Sequence, residues 1–79
     1  MSSNGPSVGS RIRQARLRAG MSRRVLGGLV DRSPEWIKAV ETGRLQTPKL
    51  QMLTKLAQVL EIRDLAELTG HDEAVSVSR

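Results

Sequence analysis

The sequence predicts an all-α fold of five short helices in a single domain, and three observations predict it. Among 79 residues there is one aromatic side chain, Trp36, and no cysteine, so any core must be built from Leu, Val, Ile, Ala and Met. That aliphatic mix suits packed helices better than a sheet, which favours aromatic and β-branched residues. Apolar residues recur at steps of three and four, the spacing that lines one face of a helix. Serine or threonine precedes several of these runs and glycine follows them, as helix starts and stops do.

Residues 1–7, Met1 followed by Ser, Asn, Gly and Pro, have little to bury and read as a flexible lead-in. Val8, Ile12, Ala15 and Ala19 then form one stripe, closed by Gly20 as a left-handed cap. Ser22 opens the second helix as N-cap, its hydroxyl accepting from a free first-turn amide, and Leu26, Leu29 and Val30 form its buried face. Gly27 and Gly28 each cost roughly 1 kcal/mol relative to alanine inside a helix. At Gly27 the missing side chain is expected to let another helix approach; nothing in the sequence explains Gly28. Asp31 and Arg32 form a turn. Ser33 caps the third helix with Pro34 at its first position, where the absent N–H would be unpaired anyway. Ile37 and Val40 face inward, and Trp36, about 100° round from Ile37, is expected on a partly exposed shoulder. Gly43 is the stop.

The fourth helix has the clearest periodicity, with Leu50, Leu53, Leu56, Ala57 and Leu60 inward, Thr47 as N-cap and Pro48 first. Each buried leucine is worth roughly 1.5–3 kcal/mol, which makes this helix the expected central post. A fifth helix is expected from about Asp64 to Thr69, with Leu65 and Leu68 inward and Gly70 as its stop. The chain therefore divides into a lead-in over 1–7, a domain over 8–70, and a flexible tail or start of a linker over 71–79. That tail hints at a longer parent chain with a C-terminal effector region.

Charge narrows the function. Residues 1–55 carry eleven basic and three acidic side chains, a balance of +8, whereas 56–79 carry two basic and five acidic, a balance of −3. A basic body with an acidic end suggests a polyanion partner; the alternative is a solvated, arginine-rich surface. No apolar run approaches the ~18 residues that span a bilayer, and the N-terminus lacks the basic start and apolar middle of a signal peptide. The expectation is a cytoplasmic protein, on the nucleoid when bound to DNA, with no membrane contact. Absent cysteines exclude disulfides and thiolate metal sites. His71 stands alone, no serine spacing suggests a triad, and no glycine-rich loop leads into a Gly-Lys-Ser/Thr phosphate cradle. No enzyme, metal or cofactor is indicated.

The third helix spans about nine residues, and isolated helices below ~12 are marginal in water. Serine caps eleven positions apart, at Ser22 and Ser33, give the layout of a helix-turn-helix in which the first helix braces the second. With Ile37 and Val40 inward, Pro34, Glu35, Lys38 and Ala39 are left on the outer face, free to enter a groove.

From Gly9, Arg13 and Arg16, through GMSRRVLGGLV from Gly20 and SPEWIKAVETGR from Ser33, to Leu50, Leu53, Leu56, Leu60 and LAELTG, the chain resembles the five-helix, lambda-repressor-like DNA-binding domain of the Cro/C1 (XRE) family. The wording SRRVLGGLVDRSPEWIKAVETGR is similar to regulators of actinomycetes. The resemblance implies an ion pair between Arg16 and Glu41. It implies phosphate contact at Arg23, where the family commonly has glutamine, and base contacts at Pro34, Glu35 and Ala39. Backbone contacts fall at Thr42, Gly43, Arg44 and Lys49. Ser33, Trp36 and Lys38 complete the expected DNA-facing set, with Trp36 alternatively a cover for the core. Arg11, Arg13 and Arg18 read as solvated charges.

The departures bear on specificity. The family's usual turn is glycine and an apolar residue; Asp31 here tolerates a left-handed backbone better than most residues. Pro34 and Ala39 offer only apolar contact, suited to a thymine methyl, while Glu35 suits a cytosine amino group and Lys38 a guanine or a phosphate. The sequence is read as the sequence-selective, double-stranded-DNA-binding domain of a bacterial transcriptional regulator, acting as a homodimer. The alternative is a protein-interaction module on the same fold, and a third option is a structural fragment whose activity lies elsewhere.

Overall fold

Why each helix begins and ends where it does follows from a few repeated local devices. The computed structural model describes residues 7–69, which form α1 (Val8–Arg18), α2 (Arg23–Val30), α3 (Pro34–Glu41), α4 (Leu50–Val59) and α5 (Ala66–Thr69). Helices are the only regular structure among the described residues, and the fold is a five-helix, lambda-repressor-like one. Three serines do the same job. Ser7, Ser22 and Ser33 each sit in extended conformation and accept from the amide three residues on, at Ser10, Val25 and Trp36, over 3.0–3.2 Å. Each such cap is worth ~1 kcal/mol. Ser7 thus belongs to the folded domain, one residue earlier than the sequence suggests. The expected lead-in over 1–6, Gly70 and the tail over 71–79 lie outside the described residues.

The four longer helices also end alike. After each, a residue at positive φ lets two successive amides turn back onto the last carbonyls: Gly20 (72°), Asp31 (64°), Gly43 (80°) and Glu61 (59°). The paired bonds run from Gly20 and Met21 to Leu17 and Arg16, and from Asp31 and Arg32 to Gly28 and Gly27. They recur from Gly43 and Arg44 to Val40 and Ala39, and from Glu61 and Ile62 to Gln58 and Ala57. This is the Schellman closure, for which glycine is the usual hinge. Glu61 is the one residue of the four with neither glycine's freedom nor aspartate's short side chain. Glu61→Gly is therefore expected to raise stability by roughly 0.5–1 kcal/mol, the strain relieved less the added freedom of the unfolded chain. Urea unfolding followed through Trp36 fluorescence checks it, and an unchanged or lower midpoint contradicts it.

The core gathers Ile12 and Ala15 of α1, Leu26 and Val30 of α2, and Ile37 and Val40 of α3. Leu53, Leu56 and Ala57 of α4, with Leu60 and Leu68, complete it. Trp36, Met21, Met52 and Leu65 pack half-buried at its margin. Five expectations are corrected. Leu50 is 64% exposed, because the apolar stripe of α4 runs one turn past the neighbours that cover it. Leu29 is exposed at the edge of the α2 stripe, and Ala19 is exposed where the chain leaves α1. Lys49, with no side-chain bond, occupies the N-cap of α4, so Thr47 and Pro48 belong to the preceding loop. Asp64 does not start the fifth helix; its carboxylate accepts from the Ala66 amide at 3.0 Å and caps it.

Candidate nucleic-acid interface

The helix pair α2–α3 positions the candidate surface. A β-carbon at Gly27 would stand 2.5 Å from the Arg32 carbonyl oxygen, so α2 lies directly on the turn that starts α3. The close approach is to this turn, not to the middle of a neighbouring helix, as the sequence suggests. Asp31 supplies the left-handed residue that makes the turn, and Ser33 fixes the first turn of α3. Gly28 faces open space, where an added β-carbon would meet nothing within 4 Å.

The two faces of α3 are sharply different. Ile37 and Val40 are 1% and 4% exposed, whereas Glu35 and Lys38 are exposed and Pro34 and Ala39 half-exposed. The outward face is thus one acid, one base and two apolar residues. Ser33 spends its hydroxyl lone pair on the Trp36 amide and keeps its proton to donate. Thr42 has spent its proton, donating to the Lys38 carbonyl at 2.9 Å. In this rotamer it offers a phosphate no hydrogen bond. Arg44 and Lys49 are exposed.

Trp36 is half-buried at the margin of the core, with the Arg32 guanidinium 5.1 Å from its ring centroid, a cation–π stack. The pair forms one wall of an open groove whose other wall is α4 and the residues leading into it, with Pro48, Lys49, Met52 and Lys55 along that wall. No acidic side chain lines the groove. Sequence reasoning left Arg32 unassigned and did not single out Lys55. The two are four residues apart, but Arg32 lies in the turn before α3, so helix geometry is not what brings them together.

Behind this face sits a buried charge cluster. Arg16 donates from Nε to Oε2 of Glu41 at 2.6 Å and from Nη2 to Oε1 at 3.2 Å, and Nη1 donates to the Met21 carbonyl at 2.8 Å. Arg23 adds a third bond to the same carboxylate, from Nε to Oε1 at 3.0 Å. The Glu41 side chain is fully buried, and that of Arg23 is 34% exposed. This cluster ties α1, α2 and the end of α3 at one point. Among the described residues no group of acids and histidines could hold a metal, and no helix is long and apolar enough to cross a membrane.

The family described as "Helix-turn-helix domain" matches residues 7–75 of the chain. No curated protein and no solved structure gives a significant match.

Proposed function

We propose, from the premise that this chain belongs to the helix-turn-helix domain family, that it binds double-stranded DNA sequence-selectively as the DNA-binding domain of a bacterial transcriptional regulator of Cro/C1 type. In this reading α3 lies in the major groove, with Pro34, Glu35, Lys38 and Ala39 toward base edges. Ser33, Trp36, Thr42, Arg44 and Lys49 lie along the flanking phosphates, with Arg23 across the groove. Cytoplasmic location, on the nucleoid, follows from that role.

The observation that carries the reading is the two-faced α3. A short helix wedged by Ile37 and Val40 presents Glu35 and Lys38 outward. Because the reading face has two apolar residues and one acid, affinity comes mainly from the backbone and preference from few base contacts. A homodimer spanning half-sites one helical turn apart supplies what one module lacks.

Selection of duplexes from a random pool, followed by footprinting, tests this. Binding is expected to tighten on lowering salt, with log K rising by ~0.9 per log unit for each neutralised phosphate. Glu35→Ala and Lys38→Ala are expected to change which sequences are selected, each by about 1–3 kcal/mol of discrimination at one base pair. Arg44→Ala should weaken every duplex alike. If Arg44→Ala shifted preference and Glu35→Ala did not, the division of roles would be wrong. A second reading, a protein-interaction module, draws on the apolar Pro34 and Ala39 and on Thr42 having spent its proton within α3. Its signature is the absence of salt-sensitive duplex binding.

A further inference from the structure

Glu41 is the one buried acid among the described residues, and it accepts from two guanidinium groups. Arg16 alone would satisfy it, since its side-on pair of bonds reaches both carboxylate oxygens. All three Arg16 nitrogens are occupied, the third by the Met21 carbonyl. Arg23 is arranged differently. Only its Nε is bonded, and its two terminal nitrogens have no partner among the described residues. Two guanidinium charges against one carboxylate leave one positive charge over, at the partly exposed Arg23.

A guanidinium is planar, so anchoring Nε to a buried oxygen that cannot rotate away sets where the opposite edge points. A solvated arginine would have to give up rotamer freedom to do the same on binding. We propose that the terminal edge of Arg23 is a pre-oriented receptor for one tetrahedral oxyanion, with Glu41 as its positioning residue. On the DNA-binding reading that anion is a phosphodiester of the duplex; inorganic phosphate would take the same edge. The interior ion pair and the DNA backbone would then share one charge cluster. Phosphate contact is set by the same carboxylate that holds α1, α2 and α3 together.

Two probes test this with the full chain at low ionic strength. The first is inorganic phosphate, followed by nitrogen-15 NMR of the arginine side chains. The Arg23 terminal N–H signals are expected to shift while its Nε–H and the Arg16 signals stay in place. The second is duplex binding. Arg23→Met is expected to weaken all duplexes about tenfold and to lower the salt slope by ~0.9. Arg23→Lys keeps the charge but loses the fork, and should recover only part of that affinity. Glu41→Gln should weaken binding when Arg23 is present and have no effect on affinity in the Arg23→Met background. Should Glu41→Gln fail to fold, the comparison of Arg23→Lys with Arg23→Met decides. Lysine binding as tightly as arginine would overturn the positioning role, because a free charge would then suffice. Parent-like affinity and salt slope for Arg23→Met would overturn the site and leave DNA binding standing. An Arg23 response to phosphate in a chain that binds no duplex would leave the site standing and overturn the proposed function.

Discussion

Arg16→Ala is expected to remove about 3 kcal/mol or more of folding free energy, a large share for a domain of this size. The loss is not the value of the salt bridge. It is the cost of leaving Glu41, whose side chain has no exposure at all, short of donors inside the fold. Removing one partner of a buried pair costs ~3–5 kcal/mol, whereas replacing both by apolar groups is often neutral. The lower end applies because Arg23 still donates to Oε1 after Arg16 is gone. Combining Arg16→Ala with Arg23→Gln should therefore cost more than the sum of the two single changes. Replacing the pair together, as Arg16→Met with Glu41→Leu, should recover most of the stability. Urea unfolding followed by Trp36 fluorescence measures all of these. An Arg16→Ala midpoint within experimental error of the parent would show that the cluster contributes nothing to the fold.

What could be seen in advance divides by the range of the interaction. Ser22 and Ser33 cap their helices through a hydroxyl and an amide three residues apart, so the sequence holds everything needed. Gly20, Gly43 and Asp31 were legible as left-handed residues because the preference is intrinsic to them. Glu61 was not, since nothing local favours glutamate at positive φ; its closure brings the half-buried Ile62 back onto the core. Periodicity named the inward face of α4 correctly but not its extent, which is why Leu50 was misplaced. The outward set on α3 followed from two buried positions, Ile37 and Val40, once those were right. The Arg16–Glu41 pair, 25 residues apart, entered only through family resemblance. The Arg23 bond to Glu41, 18 residues apart, was invisible, and Arg23 entered only as a phosphate contact implied by the resemblance. Contacts between helices are not written in spacing.

Gly9→Ala and Gly28→Ala are expected to have opposite signs, although both glycines lie within helices. Propensity alone predicts that each substitution stabilises, by up to ~1 kcal/mol in a helix interior. Gly28 follows propensity, because an added β-carbon there meets nothing within 4 Å. Gly9 does not. A β-carbon there would run into the Val40 carbonyl oxygen and lie 3.0 Å from that of Glu41. Those atoms are backbone, so relief requires α1 to lift from the end of α3. Overpacking of this kind costs about 1–3 kcal/mol, which exceeds the propensity gain in a first turn. The displacement has a functional edge, because the same segment carries Glu41 and leads into Thr42 and Arg44. Gly9→Ala should thus lower the urea midpoint and weaken duplex binding without changing the preferred sequence. Gly28→Ala should raise the midpoint and leave binding alone. If Gly9→Ala were as stabilising as Gly28→Ala, α1 would not rest on the end of α3, and the packing that aims α3 outward would need another cause.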